Sequence, residues 1–248
     1  MDINSPEAFK LDGSKQGILL IHGFTGTPQS VKWLGKRLHE LTGATVHAPR
    51  LAGHGETPEE LAKTGFRDWL ASAENALHDL RKEHQKITVA GLSLGGTIAL
   101  NIAIRFPEEI RNVVTINAST GLYSSYQMLA IFDDKPKAYH DGIGSDIKDP
   151  SIREICYDKI PCRALKERYI LASATGQMLE LMSKPILIFQ SREDHVVSPQ
   201  NGKRIANSVA SETVMLKLLE NSYHVATLDH DKEFMAQEIS SFIKLDLI

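Results

Sequence analysis

Gly91-Leu92-Ser93-Leu94-Gly95-Gly96 follows the apolar run Ile87 to Ala90 directly and leads into the helical run Thr97 to Phe106. A strand, a sharp turn with a serine at its apex and a helix are therefore predicted in immediate succession. Such a turn needs small flanking residues, because the serine is held in a strained backbone conformation while the following helix presses on the strand. Gly91 and Gly95 supply that room. The start of the helix also turns its amide N–H groups, and the positive end of its dipole, toward any anion forming beside Ser93. Alone, the hexapeptide suits a glycine-rich turn without chemistry equally well, so the neighbouring segments decide.

Working outward, six short aliphatic or β-branched runs read as strands: Gly17 to Ile21, Ala44 to Ala48, Ile87 to Ala90, Asn112 to Ile116, Pro185 to Gln190 and Thr213 to Leu219. Most are nearly continuously apolar, the pattern of strands covered on both faces by helices, which predicts a mainly parallel sheet. Helices alternate with them. Thr27-Pro28 and Ser198-Pro199 each pair a capping residue with a proline in the first turn. Thr57-Pro58-Glu59-Glu60 reads as a capping box, and residues 66 to 84 carry an amphipathic pattern through Phe66, Trp69, Leu70, Ala73, Leu77 and Leu80. The expected architecture is a doubly wound α/β domain spanning residues 1–248. The alternation breaks at about 119–182, where a helical cap is expected to be inserted before the last two core strands. Within it, Asp149-Pro150 predicts a helix through Tyr157, and Arg163 to Met182 a longer one. Gly142-Ile143-Gly144 reads as a hinge-like piece.

Composition narrows the function classes. Of the 248 residues, 42% are hydrophobic and 24% charged, with a formal net charge of −3, which fits an ordinary globular protein. No apolar stretch approaches a bilayer span, so integral membrane association is not expected. The start of the chain has neither a basic nor an apolar leader segment, which predicts a cytoplasmic location. Cys156 and Cys162 are expected as free thiols. No basic cluster suggests a nucleic-acid partner. Zinc-helix, phosphate-loop and dinucleotide fingerprints do not occur, so neither a metal nor a cofactor is implied.

His22-Gly23-Phe24-Thr25-Gly26 follows the first long strand, where hydrolases of the α/β-hydrolase fold place the loop that completes an oxyanion hole. The backbone amides of Phe24 and Leu94 are the candidate donors. In that fold the serine is followed along the chain by an acid and then a histidine, after the last two strands. The first window, Gln190 to His195, offers Glu193 and Asp194, between which local chemistry does not choose; Asp194 is preferred for its place in the loop. The second window, Asn221 to Val225, offers His224 as the general base. His195 and His230 fit that position less well, and His54, in Gly53-His54-Gly55, reads as shaping a loop. A serine at the elbow, in place of aspartate, argues against an epoxide hydrolase or haloalkane dehalogenase.

With these residues in place, the chain resembles the bacterial monoacylglycerol lipases and related small Bacillus-type carboxylesterases over nearly its full length. Besides the elbow, the segments carrying the likeness are 22–28, Gly144-Ser145-Asp146-Ile147-Lys148, Glu193-Asp194-His195-Val196-Val197 and 221–229. The resemblance implies Asp194 as the acid, and the amides of Phe24 and Leu94 as the oxyanion donors. It also implies Glu154 as the residue that binds a glycerol head group and Ile143 as a cap residue near the acyl pocket. Tyr123 to Phe132 with Met128, and later Met178, Leu179 and Met182, are candidate linings of an acyl tunnel, though ordinary cap packing explains each as well. The expected reaction is hydrolysis of a monoacylglycerol through an acyl-enzyme. A broad carboxylesterase of short to medium acyl esters is the alternative within the class, and a non-catalytic binding protein on the same fold is the alternative outside it. Oligomeric state is not legible.

Overall fold

The computed structural model describes residues 2–13, 16–121, 129 and 137–245. Seven strands form the main sheet: β1 (Phe9–Leu11), β2 (Gly17–Ile21), β3 (Thr45–Ala48), β4 (Ile87–Leu92), β5 (Ile110–Ile116), β8 (Ile186–Ser191) and β9 (Val214–Leu219), in the order β1-β3-β2-β4-β5-β8-β9. All neighbouring pairs run parallel except β1 with β3. Two further strands, β6 (Tyr139–Asp141) and β7 (Lys159–Pro161), pair antiparallel in a separate ribbon.

The continuous apolar strands have a direct cause. Along β2, Leu19 and Ile21 point into one core with α3 (Phe66–Arg81) and α4 (Leu94–Arg105), while Ile18 and Leu20 point into a second core with α1 (Gln29–Thr42) and α7 (Lys232–Leu245). Both faces are dry, and each fully buried aliphatic side chain contributes roughly 1.5–3 kcal/mol. Trp69 is fully buried between sheet and cap, and its indole N–H donates to Thr64 Oγ1 at 3.0 Å.

Helix starts follow the expected chemistry with small differences. The Gln29 amide donates to Thr27 Oγ1 at 3.3 Å and the Gln200 amide to Ser198 Oγ at 3.4 Å, each across a proline already in helical conformation. The second of these opens α6 (Gln200–Ser208). At α2 (Pro58–Lys63) Thr57 Oγ1 accepts from the Glu60 amide at 3.2 Å, while the Glu60 carboxylate pairs with Lys63. Asp68 reaches back instead, accepting from the Gly65 amide at 2.9 Å to fix the start of α3.

Between β5 and β8 the chain leaves the sheet, as predicted, but one element differs. Residues 152–157 form neither helix nor strand. The Gln29 side chain takes up their backbone, its Nε2 donating to Arg153 O at 3.2 Å and its Oε1 accepting from the Ile155 amide at 3.1 Å. The Glu154 amide donates to Ser145 Oγ at 2.8 Å. These tertiary bonds outweigh the local helix signal of Asp149-Pro150. The second cap helix, α5 (Cys162–Gln177), ends earlier than expected and is followed by a single 3₁₀ turn, Leu179–Leu181. Leu179 and Met182 are buried in the core against the sheet; Met128 and the rest of Tyr123–Phe132 other than Leu129 lie outside the described residues. Cys156 and Cys162 form no disulfide. Among the described residues no helix is long and apolar enough to cross a membrane.

The elbow depends on its glycines. A Cβ on Gly95 would collide with the carbonyl oxygens of Ile21 and His22, and one on Gly91 with the backbone of Gly95 and Gly96. α4 thus starts in contact with the end of β2. Gly95→Ala is expected to cost about 1–3 kcal/mol by overpacking, lowering Tm by roughly 2–4 °C for each kcal/mol. Thermal unfolding followed by circular dichroism checks this.

Candidate active site

Ser93 stands between β4 and α4 with φ 54° and ψ −115°, a strained conformation for a non-glycine residue. The strain is held from both sides: the Ser93 amide donates to Ile116 O at 2.8 Å, and its carbonyl accepts from the Thr97 amide at 3.1 Å. The hydroxyl is thereby pushed out of the sheet into a cleft that also contains Phe24, Ile143, Glu154, Arg168 and His224.

The two loops after the last strands meet at the same cleft. His224 Nδ1 lies 2.8 Å from Asp194 Oδ2, and the Asp194 side chain is fully buried. Asp194 Oδ1 accepts from the Val196 and Val197 amides at 2.9 and 2.7 Å. A carboxylate with both oxygens accepting requires the histidine to donate, so Nδ1 carries the ring proton and Nε2 is left with a free lone pair. Glu193, the other acid of the window, is exposed and pairs with Lys148 at 2.9 Å. His195 is exposed as well and pairs with Asp146 at 2.8 Å.

Leu94 is the first residue of α4, so its amide belongs to the turn that has no acceptor within the helix. Phe24 comes from the loop after β2. That loop lies against the serine, since a Cβ on Gly23 would fall 3.5 Å from Ser93 Cβ, and it turns sharply at Thr25 (φ 63°). The fully buried His22 anchors it, with Nδ1 donating to Gly23 O at 2.9 Å and Nε2 accepting from the Leu51 amide at 3.1 Å. Burial, with His54 beside it, pushes the His22 pKa down to about 3, so the ring stays neutral in this structural role.

Ile143 and Glu154 both line the cleft. The Glu154 carboxylate lies over Gly26, where a Cβ would strike Oε1. Burial raises its pKa to about 7, with the His224 ring and the Ser30 hydroxyl pulling the other way. Among the described residues no group of three or more His, Cys, Asp or Glu side chains is placed to hold a metal ion.

The family model described as alpha/beta hydrolase fold matches residues 17–141, and one described as serine aminopeptidase, S33, matches 148–231. The thermostable monoacylglycerol lipase of Bacillus sp. (strain H-257) is 38% identical over 97% of this chain and 95% of its own. The chain belongs to the α/β-hydrolase family. Within it, the carboxylesterase of Bacillus subtilis (strain 168) is 32% identical over 99% of this chain and 100% of its own. A solved structure described under LipS and LipT, two metagenome-derived lipolytic enzymes, superposes with a TM-score of 0.93 at 39% identity, covering 96% of this chain and 97% of that one.

Several residues that hold this α/β-hydrolase site together were not singled out from the sequence. Asn117, at φ 47° after β5, donates through Nδ2 to His224 O at 2.7 Å and to Ser191 Oγ at 3.0 Å, while its Oδ1 accepts from the Ser191 amide at 2.7 Å. One amide side chain thus joins the ends of β5 and β8 to the histidine loop. Asp146 accepts from the His224 amide at 3.1 Å, and Asp229 from the amides of Lys148 at 2.7 Å and Tyr223 at 2.9 Å. The cap segment is stitched to the loop that carries His224. Arg168, also on the cleft, carries no sequence signal beyond its charge.

Proposed function

We propose that this α/β-hydrolase is a serine carboxylic-ester hydrolase with Ser93, His224 and Asp194 as its catalytic triad. The carrying observation is Ser93 on its strained elbow, in one cleft with a histidine whose Nδ1 is 2.8 Å from a buried carboxylate. Ser93 Oγ attacks the ester carbonyl while His224 Nε2 takes its proton. The amides of Phe24 and Leu94 receive the oxyanion, each such donor being worth roughly 3 kcal/mol in the transition state. His224 then protonates the leaving alcohol and activates water to release the acid, and Asp194 stabilises the imidazolium.

Monoacylglycerol is the substrate proposed, with Glu154 accepting hydrogen bonds from the glycerol hydroxyls and Ile143 beside the acyl chain. The full-length likeness to a monoacylglycerol lipase and the placement of Glu154 on the cleft support this reading. The equally full-length likeness to a carboxylesterase supports a second reading, hydrolysis of simple short to medium acyl esters. Fatty acid released from monoacylglycerols and from alkyl esters of matched chain length separates the two.

Glu154 also gives the glycerol reading a pH signature. The ionised form is the better acceptor, so KM for monoacylglycerol is expected to fall as pH rises through about 7, relative to KM for an alkyl ester. Glu154→Gln is expected to flatten that ratio and raise KM for the glycerol ester about 10-fold or more. A matching rise for both substrates removes glycerol binding from the account. Because the folded pKa lies above the ordinary 4.5, ionisation of this group lowers stability as pH climbs from about 4.5 to about 7, a loss the glutamine variant escapes.

A further inference from the structure

Arg168 lies within α5 with 5% of its surface exposed, on the wall of the cleft that holds Ser93 and His224. A guanidinium cannot be deprotonated in a protein, so the charge is carried at all working pH. Its Nε has no hydrogen-bond partner among the described residues. The group lies 5.9 Å from the ring centre of Phe24 and 5.5 Å from that of Tyr169, and aromatic faces replace only part of a cation's lost hydration.

Buried charges are ordinarily paired and hydrogen-bonded; Arg168 feels the charge of Asp194, but its Nε donates to no described residue. Among the described residues the cleft carboxylates make their hydrogen bonds elsewhere: Asp194 to the His224 ring and the amides of Val196 and Val197, Glu154 at its place over Gly26 beside Ser30. An unfilled guanidinium N–H on the wall of a substrate cleft suits an oxyanion, because guanidinium geometry matches carboxylate and phosphate alike.

We propose that Arg168 binds a carboxylate or phosphate carried by the substrate away from the scissile bond, giving the cleft a preference for anionic esters over neutral ones. This rests on the ester-hydrolase reading and favours, within it, an anionic ester over the neutral monoacylglycerol. The anion arrives with either the acyl or the alcohol part of the ester.

The test compares mono-p-nitrophenyl adipate with its methyl-capped neutral form, and 2-phosphoethyl hexanoate with 2-methoxyethyl hexanoate, on the wild type, Arg168→Met and Arg168→Lys. The wild type is expected to favour at least one anionic member by about 10–100-fold, carried by KM. Arg168→Met should abolish that preference, read as the ratio of KM for the anionic ester to KM for its neutral partner, with circular dichroism showing that the variant folds; Arg168→Lys should restore part of it. Preference for the carboxylate pair, the phosphate pair or both identifies the anion. A wild type that favours the neutral member of both pairs, or a methionine variant that slows neutral and anionic esters equally, overturns the proposal. Calorimetric binding of adipate monoamide, an uncleaved ligand, to wild type and Arg168→Met reads the same site without turnover. Arginine-dependent binding without hydrolysis would sink the esterase reading and leave the anion site; hydrolysis without such binding or preference would do the reverse.

Discussion

Ser93→Ala is expected to lower kcat/KM on carboxylic esters by about 10⁵-fold or more, with KM little changed. The serine is the bond-forming atom of the proposed reaction, so no neighbouring group replaces it, whereas the oxyanion donors and cleft contacts survive. Residual turnover of roughly 10³-fold over water would be their contribution. Alanine keeps the Cβ and the backbone strain at φ 54°, so the variant should unfold at nearly the wild-type temperature. Release of p-nitrophenol and of fatty acid, measured beside circular dichroism, checks both halves. A loss below about tenfold would exclude Ser93 as the nucleophile.

Asp194→Asn is expected to cost about 10³- to 10⁴-fold in kcat, and the hydrogen bonds around it say why. Oδ1 of Asp194 accepts from the Val196 and Val197 amides, so the asparagine carbonyl must take that place and its NH₂ must face His224 Nδ1. A donor there forces the ring proton onto Nε2, the atom that has to accept the serine proton. The variant would hold the geometry and lose the base. Nitrogen chemical shifts of His224 in a ¹⁵N-labelled sample distinguish the two tautomers, with the proton on Nδ1 in the wild type and on Nε2 in the variant.

How far the sequence carries the reader depends on how local each cause is. The parallel strands were legible because burial on both faces keeps most of their positions apolar. The elbow was legible because the close approach of α4 to β2 and β4 leaves no space for a side chain at Gly91 or Gly95. β1, three residues at the edge, and the ribbon of β6 with β7 are too short to show a period. The helix expected after Asp149-Pro150 failed because the competing partners, Gln29 and Ser145, come from other parts of the chain.

The same limit governs the site. Glu193 and Asp194 are neighbours of like chemistry, and only the fold sends one to solvent and Lys148 and the other between two amides and a histidine. Asn117 and Asp146 are ordinary polar residues by spacing, and their role in holding the His224 loop exists only once three strand ends converge. The burial of Arg168 opposes what its residue type predicts.

The central claim, that an acyl group passes through Ser93, is tested most directly by mass spectrometry of the protein quenched in acid after brief mixing with a p-nitrophenyl ester. The Ser93 peptide of the wild type should gain the mass of the acyl group. The adduct should accumulate further in His224→Ala, where deacylation lacks its base, and be absent from Ser93→Ala. Steady hydrolysis with no acyl mass on Ser93 under any quench, or an acyl mass on another residue that turns over at the catalytic rate, would contradict the account.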